Sequence, residues 1–231
     1  TAASSEYMVG AFDGKTFTPE TPKLPGHRGK GFYAAQTFSQ DPKERIVQIG
    51  WLQTATPGMP FNQAMSLPLK LGLRQTPEGP RLTWQPIAEL AALRRKQLAR
   101  LCRPLPPGEN ALAGVQGELL EIRVEFEPGT ATEIDFNVRG NLVSYDATSQ
   151  EIVVNGKRAP APLLNGQKQR LIIYADRTSL EVLAADGLTY LPFPINLDPS
   201  NTSLSLFARG GTAEIRSLEA YELKSSWPTA P

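Results

Sequence analysis

One cysteine, one histidine and no long apolar run set the outer limits on this chain. Cys102 stands alone, so an intrachain disulfide and a thiolate zinc cluster are both excluded. His27 is equally solitary, in a loop rich in proline and glycine. With no serine or cysteine placed beside it, neither a nucleophilic triad nor a metal cluster is supported, and His27 is expected to be an exposed loop residue. No apolar stretch approaches the roughly 20 residues that a membrane-spanning helix needs. The net charge is +1, which gives no reason to expect nucleic acid or an anionic membrane as partner. The basic cluster Arg94–Arg103 has no recognised nucleic-acid motif beside it. The opening Thr1-Ala2-Ala3-Ser4-Ser5 lacks an initiator methionine, a charged n-region and an apolar h-region, so a fragment or processed piece is expected.

What the chain does have is punctuation. Its 231 residues include 21 prolines and 19 glycines, as expected where turns separate many short strands. Hydrophobic residues make up 40% and charged residues 20%, an ordinary globular balance that suits one large domain or two modest ones.

Tyr7–Gly10 and Lys15–Phe17 flank an Asp13-Gly14 turn and predict a β-hairpin. Thr18–Gly31 predicts a surface loop. Strands are expected over Phe32–Phe38, Arg45–Leu52, Ala64–Leu73 and Arg81–Trp84, with turns at Asp41-Pro42-Lys43 and Thr76–Gly79. Four such strands in succession make one propeller blade. Pro86–Leu101 predicts a helix: Pro86 suits the first helical position, and Ile87, Leu90, Ala91, Leu98 and Leu101 fall on one side. Arg94, Arg95, Lys96 and Arg100 complement its C-terminal dipole, so the segment reads as a connector with a solvated basic face rather than a partner-binding helix. Pro104, Pro106, Pro107 and Gly108 would end it.

Beyond Ala111 only strands are expected, at Glu118–Phe126, Glu133–Val138, Asn141–Tyr145, Glu151–Val154, Gln169–Tyr174, Ser179–Leu183, Ser203–Phe207 and Ala213–Leu223. Asn155-Gly156, Asn165-Gly166, Asp186-Gly187 and Gly210-Gly211 supply turns, and the pattern predicts an antiparallel β-sandwich. The tail Ser225–Pro231 is expected to fray.

Gly31–Pro68 carries the blocks FYAAQ, IGW and PFNQ-x-M-S-L-P. Their order and spacing resemble the last propeller blade of glycoside hydrolase family 32, the invertases, levanases and inulinases. Leu171–Val182 is similar to the D-R-S-S-x-E-V segment of that family's C-terminal sandwich. Val143–Asp146 and Ile152–Gly156 fit the strand pair before it, and the resemblance runs from Tyr7 to about Leu223. PGMPFNQ at 57–63 resembles the levanase- and inulinase-like branch. Invertase-like members often carry a tryptophan near Gln53-Thr54-Ala55, where this chain has none. Many members also have acidic residues where His27–Gly31 stand.

The resemblance implies an all-β fold: a partial five-bladed β-propeller (residues 1–85), a connector helix with a Pro-rich linker (86–110) and a β-sandwich (111–231). It implies a retaining fructosidase in which a carboxylate attacks the fructosyl anomeric carbon and a carboxylic acid protonates the leaving oxygen. The family's N-D-P-N, R-D-P and E-C blocks, which carry those acids, are absent, so no catalytic residue is assigned and the chain alone is expected to be inactive. Gln40-Asp41-Pro42 lacks the arginine and lies in a hairpin turn, so Asp41 reads as a turn residue. Glu121, Glu125 and Glu127 recur at period two and read as a solvated strand face.

By resemblance Tyr33, Gln36, Trp51, Phe61 and Asn62 lie near the propeller's central funnel, where aromatics meet the C–H faces of fructosyl rings and amides meet their hydroxyls. Tyr33 could equally be blade core, and Trp51 could pack between blades behind Gly50. The expected partner is fructan or a fructo-oligosaccharide, with no cofactor or metal, no nucleic acid and no membrane, in an extracellular or periplasmic setting. The alternative is a non-catalytic carbohydrate-binding or interaction module.

Overall fold

The computed structural model describes residues 5–226. Four short strands open it: β1 (Glu6–Tyr7), β2 (Gly10–Phe12), β3 (Phe17–Pro19) and β4 (Leu24–Pro25), paired β1 with β4 and β2 with β3. The predicted hairpin forms because the Asp13 carboxylate accepts the amides of Lys15 and Thr16 at 2.8 and 2.7 Å while Gly14 takes a φ of 96°. Residues 1–4 of the opening and 227–231 of the tail lie outside the described residues.

The next strands are β5 (Phe32–Thr37), β6 (Ile46–Leu52), β7 (Ala64–Met65), β8 (Leu69–Thr76) and β9 (Gly79–Pro86). They form an antiparallel sheet in the order β5-β6-β8-β9, with β7 also pairing β6. The predicted strand Ala64–Leu73 is broken at Ser66-Leu67-Pro68, where Pro68 has no amide to give a ladder.

The predicted helix over Pro86–Leu101 is corrected by the structure. Only Ala88–Leu93 turns, as a short 3-10 helix, and Arg94–Leu105 is a strand, β10. Arg94–Leu105 is rich in helix formers, but β10 pairs along its length with the 11-residue strand β20 (Ala213–Leu223), which supplies partners for one edge of its backbone. Three register shifts in that pairing disturb the period-two pattern that would have marked a strand. Pro104 is tolerated because β10 lies at the sheet edge.

Between them run β11 (Leu120–Glu127), β12 (Glu133–Val138), β13 (Asn141–Asp146), β14 (Glu151–Val154), β15 (Lys157–Pro160), β16 (Gln169–Ala175), β17 (Ser179–Ala184), β18 (Thr189–Pro194) and β19 (Leu204–Arg209). One sheet has six strands in the order β10-β20-β11-β16-β17-β18, and another has five in the order β15-β14-β13-β12-β19. Residues of both contribute to a single apolar core that includes Ile122, Phe126, Phe136, Tyr145, Ile173 and Leu206. Neither β15 nor β18 is expected from sequence. The prolines of Thr189–Pro194 argue against a strand, yet β18 is an edge strand and can carry them.

The six-stranded sheet is covered on its other face as well. Phe32, Leu69 and Trp84 of the first sheet form a second apolar cluster with Ile172, Tyr174, Leu183 and Tyr190. Burial on both faces accounts for the nearly unbroken apolar runs of β16 and β17. The supposed loop before β5 joins this contact. The Arg28 and Lys30 amides donate to the Tyr190 and Pro192 carbonyls, each at 2.8 Å, and so line the free edge of β18. His27 is pulled inward with them and is buried against the Phe32 ring at 5.4 Å, where an exposed residue was expected.

Candidate functional site

A cleft of about 700 Å³ opens between residues 51–68 of the first sheet and the end of the six-stranded sheet where β16 turns into β17. Leu90, Leu93 and Leu223 supply apolar wall, and Asp176, Arg177 and Lys224 supply charge. Its mixture of apolar surface with a few polar groups is the ordinary make-up of a small-molecule site.

Trp51 stands at the end of β6 with 37% of its surface exposed, and its indole N–H donates to Gln63 Oε1 at 2.5 Å. Tyr33 is its cross-strand partner on β5; it is 50% exposed and its ring centroid lies 6.1 Å from that of Trp51. The segment after β6 folds back through Thr56, whose hydroxyl donates to the Phe61 carbonyl at 3.0 Å and accepts the Gln63 amide at 2.9 Å. That closure turns half-buried Phe61 and exposed Asn62 into the cleft wall.

Trp51, Phe61 and Asn62 therefore share the cleft, and Tyr33 stands beside Trp51. Gln36 is exposed on β5 and does not line the cleft; a bulge separates its pairing with Ile49 from that of Tyr33 with Trp51.

The floor holds a residue that sequence reasoning quoted only as part of a motif. Glu181, in β17, is 2% exposed. Its carboxyl oxygens accept the Leu67 amide at 3.0 and 3.3 Å, and the Tyr190 hydroxyl donates to it. Burial pushes this carboxyl up to about 7; the bonds from Tyr190 and Leu67 pull the other way, and the charge of Asp176 adds to the rise. The readable signal is an acidic residue within Ser179–Ala184, every position of which is buried.

Asp41, Glu121, Glu125 and Glu127 are each committed to structure. Asp41 accepts the Lys43 and Arg45 amides at 3.0 and 3.1 Å and pairs with the Arg45 guanidinium. That side-chain bond holds its carboxyl well below the usual carboxylate range, as fits a turn residue. Glu121 corrects the reading of a solvated face: it is 1% exposed and bound by Arg94 through two bonds of 2.6 and 2.8 Å. Arg94 in turn lies over the Tyr221 ring at 4.2 Å. Glu125 meets Lys168 and Arg170, and Glu127 meets Arg216, so that face is a lattice of ion pairs. Among the described residues no group of three or more His, Cys, Asp or Glu is placed to hold a metal ion.

Two bodies of strands meet at a cleft with aromatic and amide walls, and sequence comparison gives the family. Residues 1–86 match the model described as "Glycosyl hydrolases family 32 N-terminal domain", and residues 89–222 match "Glycosyl hydrolases family 32 C terminal". The chain belongs to glycoside hydrolase family 32.

It is 33% identical to a levanase of Bacillus subtilis (strain 168) over 98% of this chain and 38% of that protein. It is 25% identical to the extracellular exo-inulinase of Aspergillus awamori over 97% of this chain and 49% of that protein. A crystal structure of exo-inulinase from Aspergillus awamori superposes with a TM-score of 0.85 at 24% identity, covering 97% of this chain and 50% of that one. A β-fructofuranosidase from Bombyx mori gives 0.69 at 18% identity, over 98% of this chain and 48% of that one. The chain thus spans half or less of the length of these relatives.

Proposed function

We propose that this chain is the C-terminal part of a fructan-degrading, retaining glycosidase of the levanase and inulinase type. In this reading the sheet of β5 to β9 is a closing blade of a five-bladed β-propeller, and the six- and five-stranded sheets form its companion β-sandwich. The cleft takes fructosyl units. Trp51 and Phe61, with Tyr33 beside them, offer aromatic faces to the C–H side of the ring, and Asn62 offers an amide to its hydroxyls. Gln36 stands further out, where a longer oligosaccharide would pass. An extracellular or periplasmic setting suits a polymeric substrate.

The observation that carries the reading is the meeting of Trp51, Phe61 and Asn62 on one cleft between the two bodies. The chain supplies a binding surface and no reaction centre. N-D-P-N, R-D-P and E-C blocks occur nowhere in its 231 residues; Asp41 and Glu121 are held in ion pairs, and Glu181 is bonded to the Leu67 amide and the Tyr190 hydroxyl. Without a nucleophile and a proton donor no glycosyl-enzyme forms.

Two measurements on the purified chain test this. Incubation with levan and inulin is expected to release no fructose, and turnover would refute the assignment of chemistry elsewhere. Titration calorimetry with fructo-oligosaccharides is expected to give heat that is lost in Trp51→Ala. Binding without turnover is also what a non-catalytic carbohydrate-binding module would give. Silence in the calorimeter would remove the sugar reading of the cleft.

A further inference from the structure

Residues 56–68, which carry Phe61 and Asn62, reach the six-stranded sheet through an unusual anchor. Leu67 sits beside Pro68 in the break between β7 and β8, so its amide has no ladder partner in its own sheet and donates to Glu181 instead. Next to it, the Ser66 amide donates to the Gly50 carbonyl at 2.8 Å, and the Ser66 hydroxyl accepts the Gly50 amide at 3.0 Å. Gly50 precedes Trp51. One carboxyl group therefore ties the sheet to both arms of the cleft, the Trp51 arm and the Phe61–Asn62 arm. A third tie, the Thr54 hydroxyl donating to the Thr178 carbonyl at 2.8 Å, holds the stretch between them.

We propose that Glu181 is the positioning residue of the cleft: through the Leu67 amide its carboxyl group fixes residues 56–68, and with them Phe61 and Asn62, against the six-stranded sheet. The meaning of this clasp for ligand binding rests on the sugar reading above; its mechanics do not.

The clasp carries a proton switch. Tyr190 on β18 donates to the same carboxyl, with Ser66 bonded to Tyr190 in turn, and Tyr174 on β16 lies directly across the ladder. Asp176 beyond β16 contributes like charge, while Arg177 and Lys224 stand on the cleft wall and Arg177 is engaged by Glu118. In acid Glu181 is neutral and comfortable in its buried place. As the medium turns alkaline the group gains by ionising in water, so opening of residues 56–68 is favoured and the clasp loosens.

Amide hydrogen exchange on the whole chain tests this at one atom. Protection of the Leu67 amide, corrected for intrinsic exchange, is expected to fall about tenfold or more between pH 5 and pH 8. In Glu181→Gln, which keeps a carbonyl acceptor without the charge, the profile is expected to be flat. In Tyr190→Phe the carboxyl loses a bond that favours its charged form, so the midpoint is expected to move to higher pH; this variant keeps the test open should Glu181→Gln fail to fold. A flat profile in the unaltered chain, or one unchanged by both substitutions, overturns the proposal. Fructo-oligosaccharide affinity followed over the same range is expected to weaken with Leu67 protection. Affinity that stays constant while protection falls overturns the positioning role. If no variant binds sugar at any pH, the reading under Proposed function fails, and the exchange profiles alone decide the clasp.

Discussion

Gly29 has no room for a side chain, because a Cβ there would lie 1.9 Å from the Pro192 carbonyl oxygen. Gly29→Ala is therefore expected to lower stability by about 1–3 kcal/mol, the usual cost of forcing atoms into a closed contact, as read by urea unfolding. Glu181 makes a prediction of opposite character, one of pH rather than bulk. Burial raises its carboxyl from an ordinary 4.5 to about 7, so the folded chain holds this proton more tightly than the unfolded one. Its contribution is full below pH 4.5 and is lost as pH rises through 7, a decline on the order of 3 kcal/mol. Unfolding midpoints measured from pH 5 to 8 are expected to fall in the native chain and to stay level in Glu181→Gln. Carboxyls that hydrogen bonds hold down, such as Asp146 at about 2, act only in stronger acid and leave this window clear. Of the residues named by family motif, Trp51, Phe61 and Asn62 line one cleft, while Gln36 does not. His27 and Glu121 were misread for a common reason: a loop or a strand face viewed alone looks solvated, and only a distant partner, β18 or Arg94, takes it from water.

Among the elements, β10 shows most clearly where local pattern fails. Arg, Lys, Gln, Leu and Ala favour helix intrinsically, but this preference amounts to tenths of a kcal/mol per residue, and a long ladder with β20 overrides it. Most strands of the second half were legible because one of their faces meets the shared core and their turns carry Asn-Gly or Asp-Gly at positive φ. β15 and β18 were not, being short or interrupted by proline and placed at sheet edges. What fastens the start of β10 is the Arg94–Glu121 pair. Arg94→Ala would strand a buried carboxylate, with Arg123 3.4 Å from it as partial relief. A loss of about 2–3 kcal/mol is expected in thermal or urea unfolding, somewhat less than a fully buried pair would give. A change within 0.5 kcal/mol would mean that Arg123 alone suffices to hold Glu121.

For the molecule as a whole, the apolar cluster linking Phe32, Leu69 and Trp84 to the face of the six-stranded sheet matters more than either body alone. Polar ties reinforce it: Gln85 donates to the Asp186 carbonyl at 2.7 Å, and Arg74 pairs with the Asp186 carboxylate. The chain is accordingly expected to melt in one calorimetric transition, with near- and far-ultraviolet dichroism changing together. Two resolved transitions would show that the first sheet unfolds by itself. The all-β character of the chain was visible in the strand punctuation. The docking of the first sheet on the six-stranded sheet was not, because it depends on surfaces that touch across more than a hundred residues of sequence.

The backbone strip laid by Arg28 and Lys30 along β18 has a practical consequence for dissecting the protein. A shortened piece starting after Gly31 would bare the rim of Thr189–Pro194 to any other chain able to add a strand, inviting intermolecular stacking in the test tube. The residues best kept when trimming are thus ones that look like dispensable linker.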